Sequence, residues 1–240
     1  MFKFLTLAVV SVVGLTVAPA TVSAAVLNGD FETGDFSNWI TTGQTTVEDF
    51  NFGVTPADGG YQAVLETLQD QTTVSGSEIE SFLGLSTGSL TAGGVIEGSA
   101  IKQTIVASSG DVLSFSWNFL TDQTPPDSTF NDFAFFSLSN TVSSLADTFT
   151  PTTISFSRLF QETGYQAYSY TIPVAGTYTL GFGVVDVGDT AVNSALLIDN
   201  VNVKLQAVPE SMNCTGIAAA MAFGVWLQTN LRKRSYKRQN

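Results

Sequence analysis

Val112-Leu113-Ser114-Phe115-Ser116-Trp117-Asn118-Phe119 alternates without a break: Leu113, Phe115, Trp117 and Phe119 are apolar, and Ser114, Ser116 and Asn118 between them are polar. A pleated strand returns a side chain to the same face every second residue, so this stretch reads as a strand with one buried and one wetted face. Trp117 then belongs to the core. Working outward, Tyr178, Leu180, Phe182 and Val184 share a face with Thr179, Gly181 and Gly183 opposite, and Tyr168, Tyr170 and Ile172 align in the same way. Tyr61 to Leu68, Ile101 to Ala107, Phe133 to Leu138 and Ala195 to Gln206 are further strands, separated by clusters of Gly, Asp, Ser and Pro.

Many short strands joined by turn chemistry, with almost no helical periodicity, predict an all-β fold, a jelly-roll-like antiparallel β-sandwich. One exception is Ser77 to Leu83, which reads as a short helix with Ser77 as N-cap and Glu80 three residues on. Gly84 to Ser99 then reads as a Gly- and Ser-rich loop. Neither an internal repeat nor a second domain is visible, and eighteen phenylalanines supply apolar area for one sandwich core.

The two ends differ from this body. Met1 to Ala25 begins with Lys3, continues as an apolar stretch from Phe4 to Val17, and closes on Val22-Ser23-Ala24-Ala25, the pattern of a signal peptide cut by signal peptidase after Ala24 or Ala25. The apolar core is shorter than the roughly 20 residues a retained span needs. At the other end, Val208-Pro209-Glu210-Ser211 precedes an apolar run from Met212 to Leu227 and a basic cluster that includes Arg232, Lys233 and Arg234. An uncharged run beside a cationic stop reads as a transmembrane helix with its basic side cytoplasmic. The division is therefore a signal peptide over 1–25, a β-sandwich over 26–207 and a membrane tail over 208–240.

The order of parts in that tail resembles the PEP-CTERM sorting signal, in which a Pro-Glu-Pro motif precedes a single helix and an Arg-rich end. Ser211 stands where the second proline belongs, and Cys214 follows. The resemblance implies an exosortase-type sorting peptidase as a partner, cutting near Val208 to Ser211 and releasing the body to the cell surface or extracellular matrix. A plain single-pass anchor is the alternative.

Charge and composition bound the chemistry of the body. Twenty of the twenty-one acidic residues lie between Asp30 and Asp199, and only Lys102, Arg158 and Lys204 oppose them, an excess of seventeen negative charges. Such a surface repels nucleic acid and anionic lipid, and its carboxylate oxygens suit hard cations. Histidine is absent and Cys214 is the single cysteine, which removes Ser-His-Asp and Cys-His catalysis, imidazole-bound metals and a body disulfide. What remains is carboxylate chemistry or none.

Asn28-Gly29-Asp30-Phe31-Glu32 followed by Trp39, together with Leu197-Ile198-Asp199-Asn200-Val201, resembles the two ends of galactose-binding-like jelly rolls, which include many carbohydrate-binding modules. The resemblance implies that the first and last segments lie together and that a structural calcium is held by Asn28, Asp30, Glu32 and Asp199. Periodicity adds a separate reason for Asp199. With Val201, Val203 and Leu205 inward, Leu197 and Asp199 fall on the same face, where a bound cation would offset a buried carboxylate. If the strand instead starts after Asp199, that residue caps a turn. The stretch from Glu97 through Asp122 to Phe135 is similar to a recurrent exported β-sandwich found before PEP-CTERM tails, a family that brings no reaction with it.

Two candidate ligand loops remain: Asp122, Asp127, Asn131 and Asp132 around Pro125-Pro126, and Asp186 and Asp189 around Gly188. A second Ca²⁺ site, a glycan-contacting edge and ordinary Asx turns are the readings for them. Tyr61, Trp39 and Tyr165 are the aromatic candidates for stacking on a sugar, with Trp39 also read as a hydrophobic plug. Three functions fit: a non-catalytic glycan-associated binding or adhesion module that contacts extracellular polysaccharide, a structural matrix protein without a small ligand, and a carboxylate-dependent glycan hydrolase. The last needs two acids about 5 to 10 Å apart in a cleft, which spacing along the chain does not supply. The expectation is the non-catalytic module.

Overall fold

In the computed structural model, which describes residues 25–67 and 72–206, every stretch read as alternating forms an antiparallel strand. The chain runs through β1 (Ile40–Thr42), β2 (Gln44–Glu48), β3 (Gln62–Glu66) and β4 (Val74–Ser75) into a helix, α1 (Gly76–Leu83). Next come β5 (Val95–Ala107), β6 (Val112–Thr121), β7 (Phe133–Leu138), β8 (Thr141–Asp147) and β9 (Thr153–Ile154). Then follow β10 (Gln161–Glu162), β11 (Gln166–Thr171), β12 (Gly176–Val187) and β13 (Ser194–Lys204). One sheet has the order β1-β5-β12-β7-β8, with β4 also on β5; the other has the order β2-β3-β13-β6-β10-β9, with β11 also on β6.

The two sheets close on one apolar core. Leu113, Phe115, Trp117 and Phe119 of β6 point into it, as do Leu180, Phe182 and Val184 of β12 and Ala134 and Phe136 of β7. The outer face of the first sheet is also apolar, because α1 and the segment after it cover Ala100, Phe135 and Val185 with Ile79, Leu83, Leu85 and Leu90. Gly181 and Gly183 serve that cover: a Cβ on Gly181 would lie 2.6 Å from a methyl of Leu83, and one on Gly183 2.5 Å from the Phe135 ring. The outer face of the second sheet is covered in turn by Val54 and Leu159 over Val64, Leu120, Ala195 and Leu197.

The N-terminal segment lies against the last strand, as expected from the resemblance of the two ends. Val201 N donates to Gly29 O at 2.8 Å, and a Cβ on Gly29 would sit 2.0 Å from Val201 O. Trp39 plugs this junction. It packs on Phe31 and Phe182, and its indole N–H donates to Asn28 O at 3.0 Å.

Several expectations are corrected. The helix starts two residues earlier than predicted, with Ser75 as N-cap and Glu78 completing the reciprocal capping box. Gly84 to Ser99 is not all loop, since β5 begins at Val95. Leu205 is exposed rather than inward. The face of Asp199 is reversed: the pairing of β13 with β6 shifts register between Asp199 and Asn202, and Asn200 takes φ 52°. This bulge lets Leu196, Ile198 and Val201 all reach the main core, so Leu197 and Asp199 point to the outer face. The signal peptide up to Ala24 and the tail over 208–240, including Val208, Pro209, Glu210, Ser211, Arg232, Lys233 and Arg234, lie outside the described residues, as does Leu68. Among the described residues no helix is long and apolar enough to cross a membrane.

Glu80, expected to cap the helix, is instead buried and gathers the following segment. Its carboxylate accepts from Gly88 N at 3.0 Å, Leu90 N at 2.7 Å and Thr91 N at 2.8 Å. Glu80→Ala strands these donors in the apolar cover of the first sheet and is expected to lower the urea unfolding free energy by about 3 kcal/mol. A loss under about 1 kcal/mol would show that the segment holds without it.

Candidate functional site

Ile154-Ser155-Phe156-Ser157-Arg158-Leu159-Phe160 begins with strand-like alternation, yet three of its four apolar residues face away from the core. Ile154, Phe156 and Phe160 are 68%, 89% and 52% exposed, whereas Ser155 and Leu159 are buried. The segment is the tip of the β9–β10 hairpin at the edge of the second sheet, where β10 pairs with the end of β6. Serine side chains fold the tip: Ser155 Oγ accepts from Ser157 N at 3.1 Å, and Ser157 Oγ accepts from Leu159 N at 3.1 Å. Ser155 N donates to Phe160 O at 3.0 Å, and Asp122 Oδ1 accepts from Phe160 N at 2.8 Å.

A second segment meets this tip. Asp49 caps the turn Phe50–Phe52 through Oδ1, which accepts from Asn51 N at 2.8 Å. Gly53 then lies flat against the hairpin, with a Cβ there reaching 2.5 Å from Phe156 O. Phe50 is 66% exposed beside it. Arg158 ties both segments to the sheet by pairing with Glu66 and by placing its guanidinium 5.6 Å from the Phe52 ring centroid. Phe50, Phe156 and Phe160 thus stand on a braced support, with no apolar cover among the described residues. Such groups are the ones that bind apolar faces of a ligand or partner.

Beneath this surface the outer face of the second sheet holds a buried polar row. Asn118 Nδ2 donates to Glu162 Oε2 at 2.7 Å, Tyr165 OH donates to Gln62 Oε1, and Gln62 Nε2 donates to Val54 O at 2.7 Å. Burial raises the Tyr165 pKa, and the charges of Asp199 and Glu162 add to the effect. Asp199 Oδ2 accepts from Asp58 N at 2.8 Å and Oδ1 from Asn200 N at 2.6 Å. Burial nevertheless pushes its pKa up to about 6.

The four residues expected to share a structural calcium are each engaged with a different part of the backbone. Asn28 Nδ2 donates to Asp35 O and Ser37 O, Asp30 Oδ1 accepts from Glu32 N, and Glu32 Oε1 accepts from Gly60 N and Tyr61 N. Asp199 accepts from the Asp58 amide. Among the described residues no three carboxylates are placed to ligate one ion. In the two candidate loops, Asp127 and Asp189 accept from Thr129 N and Ala191 N as Asx turns, and Asn131 accepts from Thr148. Asp122 pins the hairpin, and Asp132 and Asp186 are buried at 4% and 1% exposure. Of the aromatic candidates, Tyr61 is 39% exposed, Trp39 is core and Tyr165 is partly buried.

No protein-family model and no curated protein matches the sequence. Among solved structures, TmCBM61 in complex with beta-1,4-galactotriose is 13% identical with a TM-score of 0.42, covering 75% of this chain and 97% of its own. The K1 cleaved adhesin domain of Lys-gingipain from Porphyromonas gingivalis is 15% identical with a TM-score of 0.43, covering 74% and 96%. A non-crystalline cellulose specific carbohydrate-binding module, CBM28, is 13% identical with a TM-score of 0.39, covering 76% and 96%. At these scores and identities the likeness carries nothing about a ligand or a binding surface.

Because the folded-state pKa of Asp199 lies above its ordinary value, the fold favours the protonated acid. The associated stability is present below about pH 4 and is lost as pH rises to about 6, about 3 kcal/mol in all. Asp199→Asn removes this titration and leaves the other buried acids in place. Urea unfolding at steps from pH 4 to pH 7 is expected to give a flatter stability profile for the variant than for the parent. Parallel profiles would place the acid at its ordinary pKa.

Proposed function

We propose that this protein is a non-catalytic, glycan-associated binding module. The reading takes the sandwich as a jelly roll of the galactose-binding-like kind and the body as exported by its signal peptide and sorted by its C-terminal tail. The observation that carries it is the set of exposed rings, Phe50, Phe156 and Phe160, held by Asp49, Asp122 and Arg158 on the edge of the second sheet. A pyranose ring offers a flat C–H face, and a fixed aromatic surface buries it at little entropic cost because the side chains are already placed. The acidic excess selects against polyanionic glycans, so the ligand is a neutral polysaccharide.

Hydrolysis is the weaker reading for a structural reason. A glycosidase sets two accessible acids on either side of the bond it cleaves. Here the facing acids, Asp132 and Asp186, are enclosed between the sheets, where no sugar reaches. The tail is proposed to act as an exosortase-type address, with the basic end holding the chain at the membrane until it is cut.

Affinity electrophoresis of the purified protein through gels containing soluble neutral polysaccharides tests this function. At least one gel is expected to retard it, and Phe156→Ala or Phe160→Ala is expected to weaken binding about tenfold, about 1.4 kcal/mol. The melting temperature should hold within about 2 °C, since both rings are more than half exposed. Migration unaffected by every glycan would favour a matrix protein without a small ligand, and sugar release from the same gels would restore the hydrolase.

A further inference from the structure

The inward rows of five strands are apolar along most of their length and turn polar together at one end. On β12, Leu180, Phe182 and Val184 lead to Asp186; on β7, Phe136 and Ala134 lead back to Asp132. On β13, Ile198 and Leu196 lead back to Ser194; on β6, Trp117 and Phe119 lead to Thr121; on β3, Ala63 and Leu65 lead to Thr67. All five polar residues are buried, three of them at 0% exposure. Their strands run so that these ends coincide: Ser194 is opposite Thr121, and Ser194 N donates to Thr67 Oγ1 at 2.9 Å. The two loops that carry Asp132 and Asp186 also meet, since a Cβ on Gly188 would lie 2.5 Å from Thr129 O.

Hydrogen bonds account for part of this layer only. Asp132 Oδ1 accepts from Val187 N at 3.0 Å and Oδ2 from Ser194 Oγ at 2.8 Å, and Ser194 Oγ also meets Thr121 Oγ1 at 3.0 Å. Both carboxylate oxygens of Asp186 are buried without a hydrogen-bond partner, and so is Oε1 of Glu97, which stands opposite Asp186 on β5. Asp132 and Asp186 face one another, so a bond between them exists only when one carries a proton. Burial and the Asp132 charge hold the Asp186 acid up to about 9. Asp189 adds a further negative charge near Asp132. The basic groups of the body are engaged elsewhere: Lys102 at Phe82 O, Arg158 at Glu66, and Lys204 at the far end of β13.

We infer that Asp132 and Asp186 hold a hard divalent cation between the two sheets, with the hydroxyls of Thr67, Thr121 and Ser194 as neighbouring oxygen donors. A shared proton would satisfy one oxygen of Asp186 and the Thr67 hydroxyl lies near the carboxylate, but neither offsets the charge of the row of acids around it. A divalent cation takes both oxygens at once and offsets the charge of Asp132 and Glu97 as well. Three carboxylates do not close on one point, so Glu97 contributes charge from beside the ion rather than ligation. This site is distinct from the set of four carried by Asn28, Asp30, Glu32 and Asp199. Ser194 and Asp199 are five residues apart on β13, about 17 Å along the strand, and Asp199 faces the other side of its sheet.

Calcium is the probe, and the purified full-length protein is titrated calorimetrically at pH 8 in two buffers of different ionisation enthalpy. The expected result is binding that releases protons, tightens as pH rises, and lifts the melting temperature by about 5 to 10 °C at a hundredfold excess over Kd. Asp186→Asn and Asp132→Asn should each abolish this shift while melting no lower than the calcium-free parent, because Asp132→Asn removes the charge that faces Asp186 and Asp186→Asn replaces an acid that burial already keeps protonated at pH 8. Asp199→Asn should keep the shift in full. No calcium heat in the parent, or a shift that survives Asp186→Asn and Asp132→Asn, overturns the site. If one variant fails to fold, the other still decides. Because no polysaccharide enters this experiment, its outcome is independent of the glycan reading.

Discussion

Phe115 of β6 meets Phe136 of β7 at 5.4 Å and Phe182 of β12 at 4.8 Å between ring centroids, and these contacts join one sheet to the other at the middle of the sandwich. Tyr168 of β11 stacks on Phe115 at 5.0 Å, so the second sheet brings two rings to the same place. Sheets pack about 10 Å apart, a gap that these aromatic side chains span. Strand register on both sides is pinned by this packing, because a slip of one residue would send every ring to the outside.

Both outer faces are apolar too, which distinguishes this body from a sandwich with two wetted surfaces. Helix α1 and its following segment cover one face and the Phe50 and Phe156 segments cover the other, so each cover must be fastened by polar groups that the apolar layers cannot satisfy. Glu80 fastens the first through three backbone amides. Arg158, paired with Glu66, and Asp122, under Phe160 N, fasten the second. Part of the acidic surplus thereby serves loop architecture. The exposed rings follow from the same construction. A hairpin tip that turns Leu159 down onto the sheet necessarily turns Phe156 and Phe160 up.

Asp132 and Asp186 are the exception among these acids. Every other carboxylate discussed either meets a donor or reaches solvent, whereas Asp186 is enclosed and neither of its oxygens forms a well-aligned hydrogen bond. Its place at the end of an apolar row, next to four other strands that turn polar at the same level, makes the cluster a property of the sheets and not of one loop.

The positions of β3, β6, β7, β11 and β12 and the two-sheet class were legible in the sequence because a period of two is a local property, readable from Val112 to Phe119 or from Tyr178 to Val184 with no knowledge of neighbours, whereas short strands such as β1, β2 and β8 carry too little alternation to be read. The junction of the first and last segments was legible through motif likeness. The face of Asp199 was not, since one extra residue in a bulge reverses parity, and the bulge exists only where β13 must pair with β6 and also meet Gly29. Nor was the meeting of Asp132 with Asp186, or of Gly53 with Phe156. These residues lie far apart in the chain, and contact between them is fixed by sheet order and loop packing, which no local pattern encodes.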